Sequence, residues 1–291
     1  MFSFLSQRIL SIWMNLTPFM KSFPTKISRF PPKIITISPG GYRGYYLLGV
    51  TNYLKDHFDM DSYIFSGASA GAWFSLMMTY RGNHSELLEN LNVFSPEFIQ
   101  QDLRQIQHSV SKTLLSKYTT VDFDLKRLAI GVSRIRPFYV ESTIYTDFRD
   151  LKDAVECCQA SSHIPFITGG MYRIYDRRLA FDGGFSMYPY LVPSSSSSGW
   201  GGGAVEKPVL HIGTDLWKED VEKNKKWNRG APFLRNFRNV MEQTTVFSKY
   251  KYNMTKLYLD GYQDTARNHA TLMGIFPRKY SSGIGGMRRG S

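Results

Sequence analysis

The sequence predicts an α/β protein built on a mainly parallel sheet with helices on both faces. Short apolar segments rich in β-branched residues alternate with longer segments of helical character. Strands are predicted at 33–38, 62–66 and 207–213, each bounded by proline, glycine or polar residues. Since alternating strands and helices are typical of a parallel sheet covered by helices, we expect a large α/β domain.

The segments between these strands complete the prediction. In chain order they are a helix at 45–55, a helix that includes 72–78, helices within 84–118, a strand at 136–142 and a helix at 150–162. The helices within 84–118 are expected to cover the sheet or the site. The serine- and glycine-rich segment 194–203 is predicted to be a flexible loop rather than a domain boundary.

Composition and charge limit the kinds of partner. Of the 291 residues, 42% are hydrophobic, which is typical of a globular chain, and the formal net charge is +12. A basic chain favours an anionic partner, and since no nucleic-acid-binding module is recognisable, we expect an anionic membrane surface rather than nucleic acid. Charge that serves only solubility is the alternative. No uncharged apolar run approaches the roughly 20 residues of a membrane-spanning helix.

The only two cysteines are adjacent, Cys157 and Cys158. Neighbouring cysteines form neither a disulfide framework nor a metal site, so we expect both to be buried on a helix in a protein of a reducing compartment. The predicted location is intracellular, either cytoplasmic or peripherally attached to a membrane. No metal or cofactor is expected.

The first 32 residues form a basic extension in which no acidic residue occurs; the first is Asp56. The opening run MFSFLSQRILSIWMNL would give a helix with a wide apolar face and a narrow polar stripe, formed by Ser3, Gln7, Ser11 and Asn15. This pattern favours a helix lying in a membrane interface. An organelle transit peptide and a helix docked on the protein's own core are the alternatives.

The segment GASAG, residues 67–71, follows the second predicted strand and precedes an apolar helical run. G-x-S-x-G between a strand and a helix is the pattern of a nucleophile elbow, in which a serine occupies a strained turn that only small neighbours tolerate. Ser69 is therefore the candidate nucleophile. An ordinary glycine-rich turn is the alternative, because so short a pattern also arises by chance.

Two further glycine-rich turns contain candidate site residues. PGGYRG follows the first strand, and the backbone N–H groups of Gly40 and Gly41 are candidate donors to a substrate oxyanion, with Arg43 bracing the loop or adding positive charge. FDGG places an acid, Asp182, at the end of a short apolar run, with a tight turn behind it. Taken singly, the first turn also suits a phosphate-binding loop and the second a hairpin.

Together these segments resemble the patatin-like phospholipase family. PGGYRG, GASAG and DGG occur in the family's order, and ASSHIPF at 160–166 is similar to the family's A-S-x-x-I-P segment. The sequence departs from the family at Pro39, where a glycine is usual. The resemblance implies a three-layer α/β/α fold. It covers roughly residues 33–215, the predicted catalytic core, and no family match is recognised for the extension or the tail. The predicted division of the chain is a basic extension at 1–32, the core at 33–215, a helical part of the same domain at 216–280 and a disordered basic tail at 281–291.

The resemblance also implies hydrolysis of acyl-lipid esters, such as those of phospholipids, through a Ser-Asp dyad and an acyl-enzyme. Carried over to this chain, Ser69 is the nucleophile and Asp182 the general base. The implied oxyanion hole consists of Gly40, Gly41 and Arg43, and the glycines that support the motifs are Gly44, Gly67, Gly71, Gly183 and Gly184. The implied enzyme is a phospholipase A-type hydrolase or a related serine esterase.

Two other functions remain open. A Ser-His-Asp esterase would take its base from His211 or His269, the histidines that lie late in the chain. A catalytically silent lipid-binding protein would need neither Ser69 nor Asp182, so the presence of both argues against it. His163, within ASSHIPF, is expected to shape the wall of the site.

Overall fold

The computed structural model describes residues 33–136, 139–185, 208–217 and 249–279. The strands in these ranges are β1 (Lys33–Ile37), β2 (Tyr63–Ala68), β3 (Leu128–Arg136), β4 (Tyr139–Tyr145), β5 (Arg173–Tyr175), β6 (Arg178–Phe181) and β7 (Leu210–Ile212). The helices are α1 (Gly44–His57), α2 (Ala70–Met78), α3 (His84–Leu91), α4 (Pro96–Ile99), α5 (Leu103–Lys117), α6 (Leu151–Ser161), α7 (Met254–Arg267) and α8 (His269–Met273).

The strands form one sheet whose centre is parallel. β7, β1, β2 and β3 lie side by side in that order and run in the same direction. β4 pairs antiparallel with β3; β6 also pairs antiparallel with β3, and β5 pairs antiparallel with β6. The four central strands and β5 therefore point the same way, which confirms the mainly parallel sheet expected from the sequence.

Apolar clusters on the two faces of the sheet make the fold a three-layer α/β/α arrangement. One cluster joins β3 to α2, α3, α5 and α6 and includes Leu76, Leu114 and Val155. The other joins β1 and β2 to α1 and to the helices near residue 270, and it includes Ile37 and Leu47. β1 lies between two neighbouring strands and is buried after its first residue, so its sequence is a continuous apolar run.

The helix predictions are confirmed within the described residues, and side-chain caps define the starts of some of these helices. The segment 84–118 forms α3, α4 and α5; α3 and α5 begin at side-chain caps from Asn83 and Asp102. Cys157 and Cys158 are free and fully buried on α6, as expected. Near the other end of the chain, α7 packs against α1, where Asn52 Nδ2 donates to Tyr258 Oη at 2.7 Å.

The strand predicted at 136–142 is confirmed in part, because β4 includes 139–142, but its predicted start is wrong. The chain forms two antiparallel strands there, β3 and β4, with Arg136 opposite Tyr139, so the prediction straddles the connection between them. β3 was missed because Ser133 and Arg134 interrupt its apolar run, yet both are buried between neighbouring strands. The segments predicted at 1–32, 194–203 and 281–291 lie outside the described residues.

Within the described ranges, every helix is too short or too polar to span a lipid bilayer.

Candidate active site

Ser69 occupies the sharp turn between β2 and α2. Its backbone has φ 55° and ψ −126°, a conformation that is costly for any residue with a side chain. Small neighbours make the turn possible: a Cβ on Gly71 would lie 2.2 Å from the carbonyl oxygen of Ile37, and one on Gly67 would lie 2.1 Å from that of Gly71. The first turn of α2 therefore sits directly against the ends of β1 and β2.

The side chain of Ser69 meets the carboxylate of Asp182. Ser69 Oγ donates to Asp182 Oδ2 at 2.6 Å, although the two residues are 113 positions apart. The other carboxylate oxygen accepts from the backbone N–H of Gly184 at 2.7 Å, and the N–H of Asp182 donates to the carbonyl of His163 at 2.8 Å. Both side chains are buried. The carboxylate is thus held on both sides and aimed at one hydroxyl group.

Strand β3 brings these two residues together. Ala68, at the end of β2, lies opposite Gly131 of β3, and Phe181, at the end of β6, lies opposite Ser133. β2 and β6 approach along β3 from opposite directions, so the residues that follow them, Ser69 and Asp182, meet between these two positions. The turn is tight, because a Cβ on Gly183 would lie 2.3 Å from the carbonyl oxygen of Gly131.

Burial controls the protonation of Asp182. Removal from water raises the pKa of this carboxyl group from its ordinary value of 3.8 to about 7, although the hydrogen bonds from Ser69 and Gly184 act in the opposite direction. A carboxylate with a pKa near neutrality accepts a proton from a reacting group more readily than an ordinary aspartate does.

A second serine, Ser161 at the end of α6, contacts the backbone of the elbow. Ser161 Oγ accepts from the N–H of Ser69 at 2.9 Å and donates to the carbonyl of Gly131 at 2.6 Å. The neighbouring Ser162 instead accepts from the indole N–H of Trp73 at 3.0 Å. Sequence reasoning quoted these serines only as part of ASSHIPF and missed this contact. Their position at the end of a helix with a buried apolar face was the available signal.

An apolar cavity of about 100 Å³ opens beside Ser69. Helices α1, α2, α4 and α5 supply most of its lining, which includes Leu48, Met77, Phe98, Leu103, Ile106 and Val110. Gly41 and Ser69 both border this cavity. The expectation that helices within 84–118 cover the site is therefore confirmed, whereas the apolar residues of the lining were not predicted individually from the sequence.

The structure separates the residues of the predicted oxyanion loop. Gly41 lies at the cavity with φ 50°, whereas Gly40 and Arg43 are not among the residues that line it. The Arg43 guanidinium donates to the carbonyl of Thr214 at 3.4 Å, which favours the bracing role over a direct charge. Pro39, which departs from the family pattern, packs close to Gly184, where an added Cβ would lie 3.0 Å from its Cγ. Gly44 begins α1 and also borders the cavity.

The histidines considered as alternative bases have other partners. His269 Nδ1 lies 2.9 Å from Tyr53 Oη, near the far end of α1, a helix about 20 Å long at 1.5 Å per residue. His211 lies on β7, which is separated from β2 by β1, and its Nδ1 is 2.8 Å from Oγ1 of Thr36 on β1. His163 is buried but does not line the cavity; its neighbours Ser162 and Ile164 do. The wall role predicted for His163 thus belongs to the residues on either side of it.

The described residues contain no group of three or more His, Cys, Asp or Glu side chains that could hold a metal ion.

An α/β fold with a serine at a strand–turn–helix elbow is typical of acyl-ester hydrolases. Residues 35–192, more than half of the chain, match the patatin-like phospholipase family, and the chain belongs to that family. Family membership supports a lipid acyl hydrolase in general terms. A comparison with curated proteins finds no match.

Among solved structures, VipD from Legionella pneumophila is similar over 62% of this chain and 53% of its own, with 11% sequence identity and a TM-score of 0.30. This chain therefore spans about half the length of that protein. A likeness at this level says nothing about the site.

Proposed function

We propose that the protein is a phospholipase A-type hydrolase, or a related serine esterase, that cleaves fatty-acyl esters through a Ser69–Asp182 dyad. The observation that carries this proposal is the 2.6 Å hydrogen bond from Ser69 Oγ to Asp182 Oδ2 beside an apolar cavity. The hydroxyl provides the nucleophile, the carboxylate provides the proton acceptor, and the apolar lining suits an acyl chain.

The proposed reaction has two stages. Ser69 Oγ attacks the ester carbonyl carbon while its proton passes to Asp182, and collapse of the tetrahedral intermediate breaks the bond to the alcohol, which leaves with that proton. Water then gives a proton to Asp182 and attacks the acyl-enzyme. The fatty acid leaves, and Asp182 returns the proton to Ser69. The raised pKa of Asp182, about 7, supports its part in both stages.

Negative charge on the substrate oxygen needs donors, and Gly41 is our first candidate. It borders the cavity together with Ser69, and it begins the 3₁₀ turn that leads into α1. Gly40 would support the shape of this turn, since a Cβ there would lie 3.0 Å from the backbone nitrogen of Gly44. Arg43 would act through its contact with Thr214.

Substitutions at the dyad test the proposal. Ser69→Ala and Asp182→Asn should each abolish hydrolysis of a soluble short-chain nitrophenyl ester, and the double variant should be hardly slower than either, because nucleophile and base act as one unit. A serine-directed phosphonate should label wild type at Ser69 and leave Ser69→Ala unlabelled, as read by mass spectrometry.

Histidine variants are the matched control for the Ser-His-Asp alternative. His211→Gln and His269→Gln should each retain most of the activity. An active Asp182→Asn together with one inactive histidine variant would replace the dyad by a triad. If wild type binds lipid vesicles yet hydrolyses neither phospholipids nor the soluble ester, the silent lipid-binding alternative is correct.

A panel of phospholipid, triacylglycerol and galactolipid substrates with product mass analysis would identify the substrate class.

A further inference from the structure

A group of large apolar side chains is exposed between α6 and the end of β6. We call it the apolar patch. Its members are Phe166, Ile167, Met171, Tyr172, Ile174 and Leu179. Phe166 is 76% exposed, Met171 64% and Ile174 62%. An exposed group of this kind within 14 consecutive positions is uncommon on a soluble surface and marks a contact site for a partner or a membrane.

Strand pairing makes these side chains neighbours. Ile174 of β5 lies opposite Leu179 of β6, so both project from the same face of the hairpin. Phe181 projects from that face two residues further on, and its ring centroid lies 6.1 Å from that of His163. His163 in turn lies against Gly169, in the loop that carries Phe166 and Ile167. The loop and the hairpin are therefore adjacent through His163 and Phe181.

The loop also connects the patch to the candidate active site. Ile164 and Thr168 border the cavity beside Ser69, and they are tied together by the hydrogen bond from the Ile164 N–H to Thr168 Oγ1 at 2.8 Å. Phe166 lies between them and points outward. Its φ of 64° is unfavourable for an aromatic residue, and residues held in such conformations occur preferentially at functional sites.

The tip of the β5–β6 hairpin carries positive charge, which suits an anionic partner. Arg177 and Arg178 are exposed at the turn between β5 and β6. Arg177 lies in the turn itself, whereas Arg178, opposite Tyr175, projects from the face of the hairpin that does not carry Leu179. The acidic residue of the turn, Asp176, is paired with Arg134 at 3.2 Å. Exposed aromatic and aliphatic side chains flanked by arginines suit a lipid surface, where apolar groups enter the acyl region and cations meet phosphate groups.

We propose that the apolar patch is the face by which the protein docks on a phospholipid membrane and presents the cavity beside Ser69 to it. The proposal rests on the hydrolase function proposed above. It is distinct from the predicted membrane role of residues 1–32, since it uses a surface next to the dyad. Docking there places membrane lipid at the residues that link patch and cavity.

The experiment compares two double variants of the full-length protein. Phe166→Asn with Met171→Ser removes two exposed apolar groups, and asparagine tolerates the positive φ at 166 better than phenylalanine does. Leu115→Ser with Val121→Ser is the matched control, because both side chains are exposed but lie outside the patch. Sedimentation with phosphatidylcholine vesicles containing one quarter phosphatidylglycerol measures binding.

We expect the patch variant to lose at least tenfold in vesicle affinity and in hydrolysis of vesicle lipid, while its rate on the soluble short-chain ester stays within twofold of wild type. The control variant should match wild type in all three measurements. Arg177→Gln with Arg178→Gln should weaken binding to the anionic vesicles by about fivefold per arginine and affect pure phosphatidylcholine vesicles less.

Other results overturn the proposal. Unchanged vesicle binding and vesicle hydrolysis in the patch variant would exclude the patch as the docking face. A change in oligomeric state on analytical ultracentrifugation, with vesicle binding intact, would assign the patch to a second copy of this chain. The Ser69→Ala variant separates the two proposals: if wild type hydrolyses no ester and Ser69→Ala binds vesicles through the patch, docking stands and the hydrolase function fails.

Discussion

The segment between Ser161 and Gly184 contains two contrasting regions. At its ends, Ser161 and Asp182 are buried and hydrogen-bonded to the elbow serine. In its middle, the apolar patch exposes six large side chains. One continuous stretch of chain thus carries both the part that positions the candidate chemistry and the surface proposed to meet the lipid.

The difference between the two regions has a physical basis. The buried ends are held by backbone contacts of two neighbouring strands, so a small change there moves Ser69 relative to Asp182. The side chains of the patch are exposed, and Phe166, Met171 and Ile174 are each more than 60% exposed. Substitutions at the ends should therefore alter the rate on every ester, whereas substitutions in the patch should alter only the encounter with aggregated lipid.

The largest expected effect is a dependence of activity on pH. Asp182 is buried and has a raised pKa, whereas Arg177 and Arg178, near the patch, are exposed. The proposed mechanism requires ionised Asp182, so kcat/KM on the soluble ester should fall roughly tenfold per pH unit below about 7. Vesicle binding by Ser69→Ala should change little between pH 6 and pH 8. A pH–rate profile and a sedimentation series check both, and a flat rate profile would contradict the assignment of Asp182 as the base.

The same group predicts a change in stability. The pKa of Asp182 in the folded protein, about 7, lies above its ordinary value of 3.8, so the folded state binds an extra proton between these values. The free energy of unfolding therefore has its full contribution from protonated Asp182 below pH 4. This contribution decreases as the pH rises and is lost above about pH 7. At pH 8, Asp182→Asn should be more stable than wild type by up to about 4 kcal/mol, since one pKa unit corresponds to about 1.4 kcal/mol. The gain should shrink towards pH 5 in denaturant titrations.

Two glycines, one at the elbow and one in the loop of the patch, differ in the space available for a side chain. Gly71→Ala places a Cβ 2.2 Å from the backbone carbonyl of Ile37, so it should lower the free energy of unfolding by about 3 kcal/mol and remove most activity. At Gly170, in the loop of the patch, a Cβ meets nothing within 4 Å, so Gly170→Ala should leave stability and soluble-ester activity close to wild type. Equal effects of the two substitutions in denaturant and rate measurements would contradict this contrast.

Ser161 and Ser162 give a smaller and more specific contrast. Ser161→Ala leaves the Ser69 N–H without its buried acceptor, at a cost of about 1–3 kcal/mol, and we expect a lower kcat on the soluble ester with KM little changed. Ser162→Ala affects the Trp73 indole instead and should change KM more than kcat. Ser161→Thr retains the hydroxyl and should restore part of kcat. A loss of kcat that is equal in both alanine variants would assign Ser161 a purely structural role.

Arg43 should show the smallest effect. Its hydrogen bond to the Thr214 carbonyl is long, at 3.4 Å, and Arg43 does not line the cavity. Arg43→Ala should therefore lower kcat by less than about fivefold, the equivalent of 1 kcal/mol. A hundredfold loss in steady-state kinetics would mean that the guanidinium acts on the substrate charge directly.

The sequence predicted the elements whose signals are local. β1 is a continuous apolar run, and the helices within 84–118 carry polar caps that define their starts. The elbow at Ser69 and the turn after Asp182 were also recognisable, because backbone approaches of about 2 Å leave room only for glycine at positions such as Gly71 and Gly183. The glycines stand in the local motifs GASAG and DGG, so both turns are visible in the sequence even though the atoms that crowd Gly71 and Gly183 belong to β1 and β3.

The remaining features of the candidate site depend on strand pairing and burial in the folded protein. The sequence did not predict β3, and it is β3 that aligns β2 with β6 so that Ser69 and Asp182 meet across 113 positions. The contact of Ser161 with the elbow and the raised pKa of Asp182 follow from the same packing. No local pattern encodes these features, because desolvation and hydrogen-bond partners are set by residues that are distant in the chain and adjacent only once the sheet has formed.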